Sequence, residues 1–302
     1  MRVTVTGATG LIGLQLISAL KTRGDEVTVL SRDPERAGQR LAVRAVAWDP
    51  LVDSAPVSAL ADADAVVHLA GEPVAQRWSA HVKEQIRVSR VTGTANLVAG
   101  LRDAGPRPRV LVSSSASGYY GDRGDEPLTE AATPGSDFLA EVCQEWEHGA
   151  EEAEALGLRV TRVRTGVVLS SDGGALKTML PPFKAGVGGP VAGGRQYIPW
   201  IHLDDIVGIY LAALGGEGWS GPVNGCAPGA VTNKELSQAL GHALHRPAVM
   251  PIPAFALRVL YGDMAQLVIG GQRMIPERTL ALGYEFRHPD LGEALSSALD
   301  KG

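Results

Sequence analysis

The chain of 302 residues has little cysteine, no excess of positive charge, no long apolar run and no internal repeat. Its two cysteines, Cys143 and Cys226, lack any metal-ligand spacing, so two buried thiols and no metal are expected. With 28 Lys and Arg against 33 Asp and Glu, the net charge is −5 and no basic stripe appears, which argues against a nucleic-acid partner. No apolar run approaches the ~20 residues that span a bilayer, and the sequence enters its first strand pattern at once, without room for a signal peptide. The expectation is a cytoplasmic protein with no membrane partner. A hydrophobic content of 45% with 20% charged residues is ordinary for a globular chain of this length, enough for one large core or a domain and a half.

The most informative segment is residues 1–13, MRVTVTGATGLIG, where a β-branched run opens into glycines at 7, 10 and 13 ahead of an amphipathic helix. Gly7 suits the positive φ of a tight strand-to-helix turn, bare backbone at Gly10 lets a pyrophosphate approach, and Gly13 lets the helix pack close to the strand. Free N–H groups at the helix start, around Leu11 and Ile12, point at such a ligand, and the helix dipole favours its negative charge. Together with Thr9 these residues form the predicted phosphate cradle of a dinucleotide site. Residues 26–30 (EVTVL) read as the second strand, and the position about twenty residues past the glycines meets the adenosine ribose. That position holds Ser31-Arg32, and a guanidinium suits a 2′-phosphate, so NADP(H) is expected over NAD. The competing reading leaves Arg32 in solvent, with Arg36, and turns Asp33 to the ribose.

Strands and helices then alternate. Residues 42–48, 65–69, 110–114 and 159–169 read as further apolar strands, 79–101 and 137–156 as long helices, and the sheet as mostly parallel. After residue 169 the chain turns rich in glycine and proline up to 194, which predicts ordered loop or lid, followed by an Asp-started helix over 204–214. The fold expected is α/β, a Rossmann-type doubly wound parallel sheet with a smaller C-terminal substrate-side domain. Its boundaries are 1–165 for the dinucleotide-binding domain, completed by part of 197–226, and 166–302 for the lid and C-terminal part. Ligands of such sheets collect at the carboxyl ends of strands, so the loops after Leu30, Leu69 and Ser115 carry the expectation of a site.

The segments TGATGLIG (6–13), HLAGEPV (68–74), SRVTGTANLV (89–98), VSSSASGYYGD (112–122), RTGVVL (164–169) and GGRQYIPWIHLDDIV (193–207) resemble the extended, nucleoside-sugar-epimerase-like branch of the short-chain dehydrogenase/reductase superfamily. FLAEVCQEWE (138–147) and GQRMIPERTLALGYEF (271–286) look like its epimerase-family subgroup with a distinct C-terminal domain. The resemblance spans essentially the whole chain. It implies a dinucleotide in the first-strand cleft and a substrate pocket roofed by the C-terminal half. It also implies a Tyr-x-x-x-Lys pair on the helix over 137–156, and here the sequence departs: with Glu147 in register Leu139 and Cys143 occupy those positions, with Phe138 first the second is Val142, and no register gives the pair. Arg90 stands where relatives place a helix-bending Asn.

Several groups remain as candidates for the work. Ser115 matches the family's substrate-binding Ser, with a turn-forming hydroxyl as the alternative. Tyr119 and Tyr120 follow in one loop; Tyr119 is the better proton donor, and Tyr120 matches a structural pair. Leu69, Ala70 and Gly71, after a strand and small, suit close approach of the cofactor's ribose. Glu72 is either a substrate-facing carboxylate or a local cap. Arg195 and Gln196 match a stretch that grips anionic substrates in the relatives, against a solvated lid arginine. His202 reads as a general base or as a residue packed at a helix start, and Gln272-Arg273 with Pro276 as pocket-facing groups or a cap. The function expected is an NADP(H)-binding oxidoreductase or epimerase acting on a small, polar, sugar-like or phosphorylated molecule; the alternative is a catalytically silent NADP(H) sensor or scaffold. The exposed helices over 79–101 and 137–156 suggest a homodimer.

Overall fold

The computed structural model describes residues 1–300. The chain runs β1 (Arg2–Thr6), α1 (Leu11–Arg23), β2 (Glu26–Ser31), α2 (Pro34–Leu41), β3 (Arg44–Ala47), α3 (Val57–Leu60), β4 (Ala65–His68), α4 (Ala80–Ala104) and β5 (Val110–Ala116). A 3-10 turn over Ser117–Tyr120 and the short β6 (Pro127–Leu128) lead to α5 (Phe138–Glu151) and β7 (Arg159–Thr165). Then come β8 (Val167–Leu169), α6 (Gly174–Lys184), β9 (Tyr197–Ile198), β10 (Trp200–His202), α7 (Leu203–Gly215) and β11 (Gly221–Gly225). The C-terminal part holds β12 (Val231–Thr232), α8 (Asn233–Ala243), α9 (Ala254–Tyr261), α10 (Gln266–Ile269), β13 (Arg273–Met274), α11 (Glu277–Ala281) and α12 (Leu291–Asp300).

Seven strands form one parallel sheet in the order β11-β7-β5-β4-β1-β2-β3, a doubly wound α/β architecture whose order reverses beside β1. Burial on both faces explains the apolar strands: Val3, Val5, Val29 and Val67 pack under α1 and α7, while Leu97, Leu101, Leu111 and Val160 fill the α4 and α5 side. No helix among the described residues is long and apolar enough to cross a membrane.

Three expectations about elements are corrected. The strand expected over 159–169 breaks at Gly166, where a Cβ would overlap the carbonyl of Pro199; β8 therefore leaves the main sheet and pairs with β10. The glycine- and proline-rich stretch is not all loop, because α6 buries Leu176, Leu180 and Phe183 and carries Pro181 and Pro182 inside it. The helix expected to start on Asp204 is capped by His202, whose Nδ1 accepts the Asp204 N–H at 3.1 Å.

A buried polar node ties β1 to β4 beneath the glycine turn. Thr6 Oγ1 accepts the N–H groups of Leu69 and Ala70, each at 3.2 Å, so its own proton goes to His68 Nδ1 at 2.7 Å. The imidazole is thereby the tautomer with its proton on Nε2, which donates to Thr94 Oγ1 at 3.1 Å. Complete burial, aided by the Arg90 charge, pushes the His68 pKa down to about 4.

This node makes folding stability pH dependent with a definite sign. From about pH 6.5 down to about 4 the unfolded chain takes up a proton that the folded chain refuses, so stability falls with pH by up to about 3 kcal/mol and is flat above that window. Urea unfolding of the wild type and His68→Gln at several pH values checks this: the variant, less stable at neutral pH, should lose less on acidification, and parallel losses would refute the neutral-imidazole assignment.

Candidate functional site

Two cavities meet the carboxyl ends of the sheet. The first, of about 620 Å3, lies over the turn from β1 to α1 and is lined by Gly7, Thr9 and Gly10, by Ser31, Arg32, Arg36 and Arg40, and by Leu69 to Glu72 with Ser89. Gly7 adopts φ +66°, and a Cβ there would come within 2.6 Å of the Leu69 backbone. Gly13 is closed in the same way, its Cβ meeting Gly7 O at 2.5 Å. Gly10 differs: its nearest protein neighbour would be 3.4 Å away, so protein packing alone leaves room for a Cβ and the bare backbone faces the cavity. As N-cap of α1, Gly10 offers no side-chain acceptor to the first N–H groups of the helix, and no acidic residue sits in the first turn. Those donors, at Leu11, Ile12 and Gly13, await an anion. The Leu11 side chain packs against Gly173 and Gly174, closing that wall.

The other end of this cavity is basic. Arg32, Arg36 and Arg40 all line it, and none of their guanidinium groups bonds or ion-pairs with the protein among the described residues. Asp33 lines this cavity too, and its Oδ1 accepts the Arg36 N–H at 3.1 Å as the N-cap of α2. Ser31 Oγ closes the same turn with Asp33. Glu72 lies in this cavity and not in the second, its Oε1 accepting Gln76 Nε2 at 3.2 Å and its backbone N–H donating to Ser89 Oγ at 2.9 Å.

The hydroxyl candidates point elsewhere. Ser115 Oγ donates to Glu147 Oε1 at 2.6 Å in the interior, and Glu147 also receives Arg164 through Nε (2.8 Å) and Nη2 (2.9 Å). Burial opposes the Arg164 charge, but the bonds to Glu147 outweigh it and raise the pKa. Tyr120 is fully buried, donating to Asn224 Oδ1 at 2.7 Å, and burial pushes its pKa up. Tyr119 lies flat on Arg164, the guanidinium carbon 3.4 Å from its ring centroid, and lines neither cavity. The Glu147–Arg164 pair thus claims the hydroxyls of Ser115 and Tyr120 and the ring face of Tyr119, and none of the three lines either cavity.

The second cavity, of about 450 Å3, opens beside the 3-10 turn after β5. Trp78 and Phe138 meet edge to face, centroids 5.5 Å apart, with Lys83 Nζ 5.5 Å from the Phe138 centroid and bonded to Asp263 at 2.6 Å. Leu139, Asp122, Arg258 and Gln272 complete much of the wall. All three of its carboxylates are engaged: Asp263 by Lys83, Asp137 capping α5 at Ala140 N, and Asp122 accepting the Gly271 N–H. Leu139 and Cys143 stand beside Gly118, so both residues at the Tyr and Lys positions are apolar here; burial, with Glu147, pushes the Cys143 thiol up to about 12.

Arg195, Gln196 and His202 do not reach either cavity. Arg195 is exposed, Gln196 ties two strands of loop together by donating to the Val191 and Val268 carbonyls, and His202 stacks on His288 at 3.8 Å, where Asp204 reaches Gln15 of α1. Sequence reasoning missed Trp78, Lys83, Phe138, Arg258 and Asp263; the only available signal was the rarity of aromatics, 5% of the chain.

Comparison with known proteins gives the same architecture. The profile described as NAD dependent epimerase/dehydratase family matches residues 3–221, and a domain of unknown function, DUF1731, matches 252–298. The epimerase family protein SDR39U1 homolog, chloroplastic, of Arabidopsis thaliana is 39% identical over 302 residues, 99% of this chain and 87% of its own. The human epimerase family protein SDR39U1 (isoform 2), whose crystal structure was determined with NADPH, superposes with a TM-score of 0.89 at 35% identity, covering 99% of each chain. A nucleoside-diphosphate sugar epimerase from Corynebacterium glutamicum reaches 0.80 at 35% identity, over 99% of this chain and 58% of that one.

Removing Glu147 leaves Arg164, 3% exposed, without its carboxylate and strips Arg162 of a neighbour. Glu147→Ala should therefore destabilise the fold by about 3 to 5 kcal/mol in urea unfolding at neutral pH. A loss below about 1 kcal/mol would show that this pair does not hold the end of β5.

Proposed function

The chain belongs to the NAD-dependent epimerase/dehydratase family, and from that premise we propose that it binds NADP(H) in the glycine-walled cleft and acts as an oxidoreductase or epimerase on a small molecule held in the adjoining cavity. One observation carries the cofactor choice: Arg32, Arg36 and Arg40 line the adenosine end with no ion pair among the described residues, while Asp33 beside them has its Oδ1 engaged as a helix cap. An acidic residue facing that end would favour a free 2′-hydroxyl, whereas guanidinium forks fit a 2′-phosphate. The human relative's complex with NADPH supports the same choice. In this reading Gly7, Thr9, Gly10 and the N–H groups of Leu11, Ile12 and Gly13 neutralise the pyrophosphate, Ser31 and Arg32 flank the 2′-phosphate, and Leu69, Ala70 and Gly71 give backbone for a ribose.

Bound there, the nicotinamide supplies or accepts hydride. The chain's own part is to orient the substrate and exclude water: Trp78, Phe138 and Leu139 form an apolar wall, and Lys83, Asp122, Arg258 and Gln272 give a few polar contacts. That mixture suits a compound with a ring or short apolar body and one or two polar groups. Because the hydroxyls of Ser115 and Tyr120 are engaged elsewhere and Tyr119 lines neither cavity, the substrate oxygen takes or gives its proton through water at the cavity mouth.

A second reading is favoured by Leu139 and Cys143: with neither a phenol nor an ammonium at those positions, the chain acts as an NADP(H) sensor without turnover. Calorimetry with NADPH, NADP+, NADH and NAD+ on the wild type and Arg32→Ala tests the shared premise. The phosphorylated forms should bind about 10- to 100-fold tighter, and the substitution should erase most of that difference. Equal binding of NADH and NADPH to the wild type would refute the assignment. Consumption of NADPH with any member of a carbonyl panel then selects the enzyme, and its absence together with unequal affinity for the oxidised and reduced forms selects the sensor.

A further inference from the structure

Arg90, on the third turn of α4, forms no ion pair among the described residues. Its guanidinium is half-buried and packs 5.0 Å from the Trp146 ring centroid. One nitrogen, Nη1, donates to the carbonyls of Glu72 (3.0 Å) and Ile86 (3.1 Å). The other two, Nε and Nη2, meet no acceptor among the described residues, and neither is sealed from solvent in the way that Nε of Arg162 and Arg273 is. Those two nitrogens form the edge of a guanidinium that binds paired oxygens side on.

Arg90 itself lines neither cavity; it packs behind Gly71, which lines the first. A Cβ on Gly71 would meet Arg90 Cζ at 3.2 Å and Nη2 at 3.3 Å, so the guanidinium is pressed against a bare backbone that itself lines the cavity. Of the α5 side chains beside it, Trp146 packs on the guanidinium and Cys143 offers no charge. Burial lowers the Arg90 pKa, with Cys143 and Glu72 opposing. A partly desolvated cation with two idle donors is costly unless an acceptor arrives.

We propose that Arg90 is a cofactor-contacting residue, its Nε and Nη2 holding the vicinal hydroxyl oxygens of the ribose on the nicotinamide side of the bound dinucleotide. It thereby places on α4 the cation that α5 lacks. Gly71 is required to be bare because the guanidinium must reach past it. The role rests on the NADP(H) reading of the cleft, and the experiment separates the two.

Calorimetry on the full chain compares wild type, Arg90→Met and Arg90→Lys with two probes: NADPH, and adenosine 2′,5′-bisphosphate, which fills only the adenosine end. Arg90→Met should bind the bisphosphate like the wild type and NADPH about 10- to 100-fold more weakly. Arg90→Lys, which keeps the charge and loses the fork, should fall between, and it carries the test alone if Arg90→Met does not fold. Unchanged NADPH binding, or equal weakening of both probes, would overturn the role of Arg90. Failure of the wild type to bind either probe would instead remove the cofactor reading on which it stands.

Discussion

The hydroxyl of Thr6 is the constraint on which the ligand-facing end of the sheet depends. Placed on the last residue of β1, it takes two backbone N–H groups from the chain leaving β4 and gives its proton to a neutral His68. Gly7 follows at once and lies so close to Leu69 that no side chain fits. Two loops that would otherwise move independently are thus held at one spacing, and the cleft between them is set before any ligand enters. The cost is an imidazole that must stay uncharged in the interior, which the sheet tolerates because both ring nitrogens are satisfied.

A second buried node decides what the other end of the site lacks. Glu147 and Arg164 form a forked pair in the core between α5 and β7, and the polar groups after β5 are drawn to it. Ser115 gives it a proton, Tyr120 receives Arg164 Nη1 at 3.0 Å, and Tyr119 lies on the guanidinium face. The hydroxyls of Ser115 and Tyr120 are spent on stability, and the adjoining cavity is left with aromatic walls, a Lys83–Asp263 bridge and a few polar groups.

The sequence made the proposed cofactor half legible because its chemistry is backbone chemistry in a contiguous stretch. Glycines at 7, 10 and 13, a strand before them and a helix after them leave few alternatives. Ser31-Arg32 pointed to the 2′-position, while the cap that Asp33 Oδ1 gives α2 is a contact that sequence alone did not show. The hydroxyls were not legible, since which face of β5 a side chain takes depends on a register of period two: Ser115 turns to Glu147 while Ser114 turns the other way, to Tyr210. The strand break at Gly166 was hidden for a similar reason, because the obstacle, the Pro199 carbonyl, lies far along the chain. His202 looked like a base beside two acids, but its ring caps the helix that those acids begin.

The two cavities differ in how much chain they need. Every residue lining the cofactor cleft falls between Thr6 and Ser89, whereas the second cavity draws walls from Trp78 through to Gln272. During synthesis the cleft's walls have therefore left the ribosome while most of the second cavity is still untranslated. The same division lets variation in the last third of the gene reshape the second chamber and leave every wall of the first unchanged.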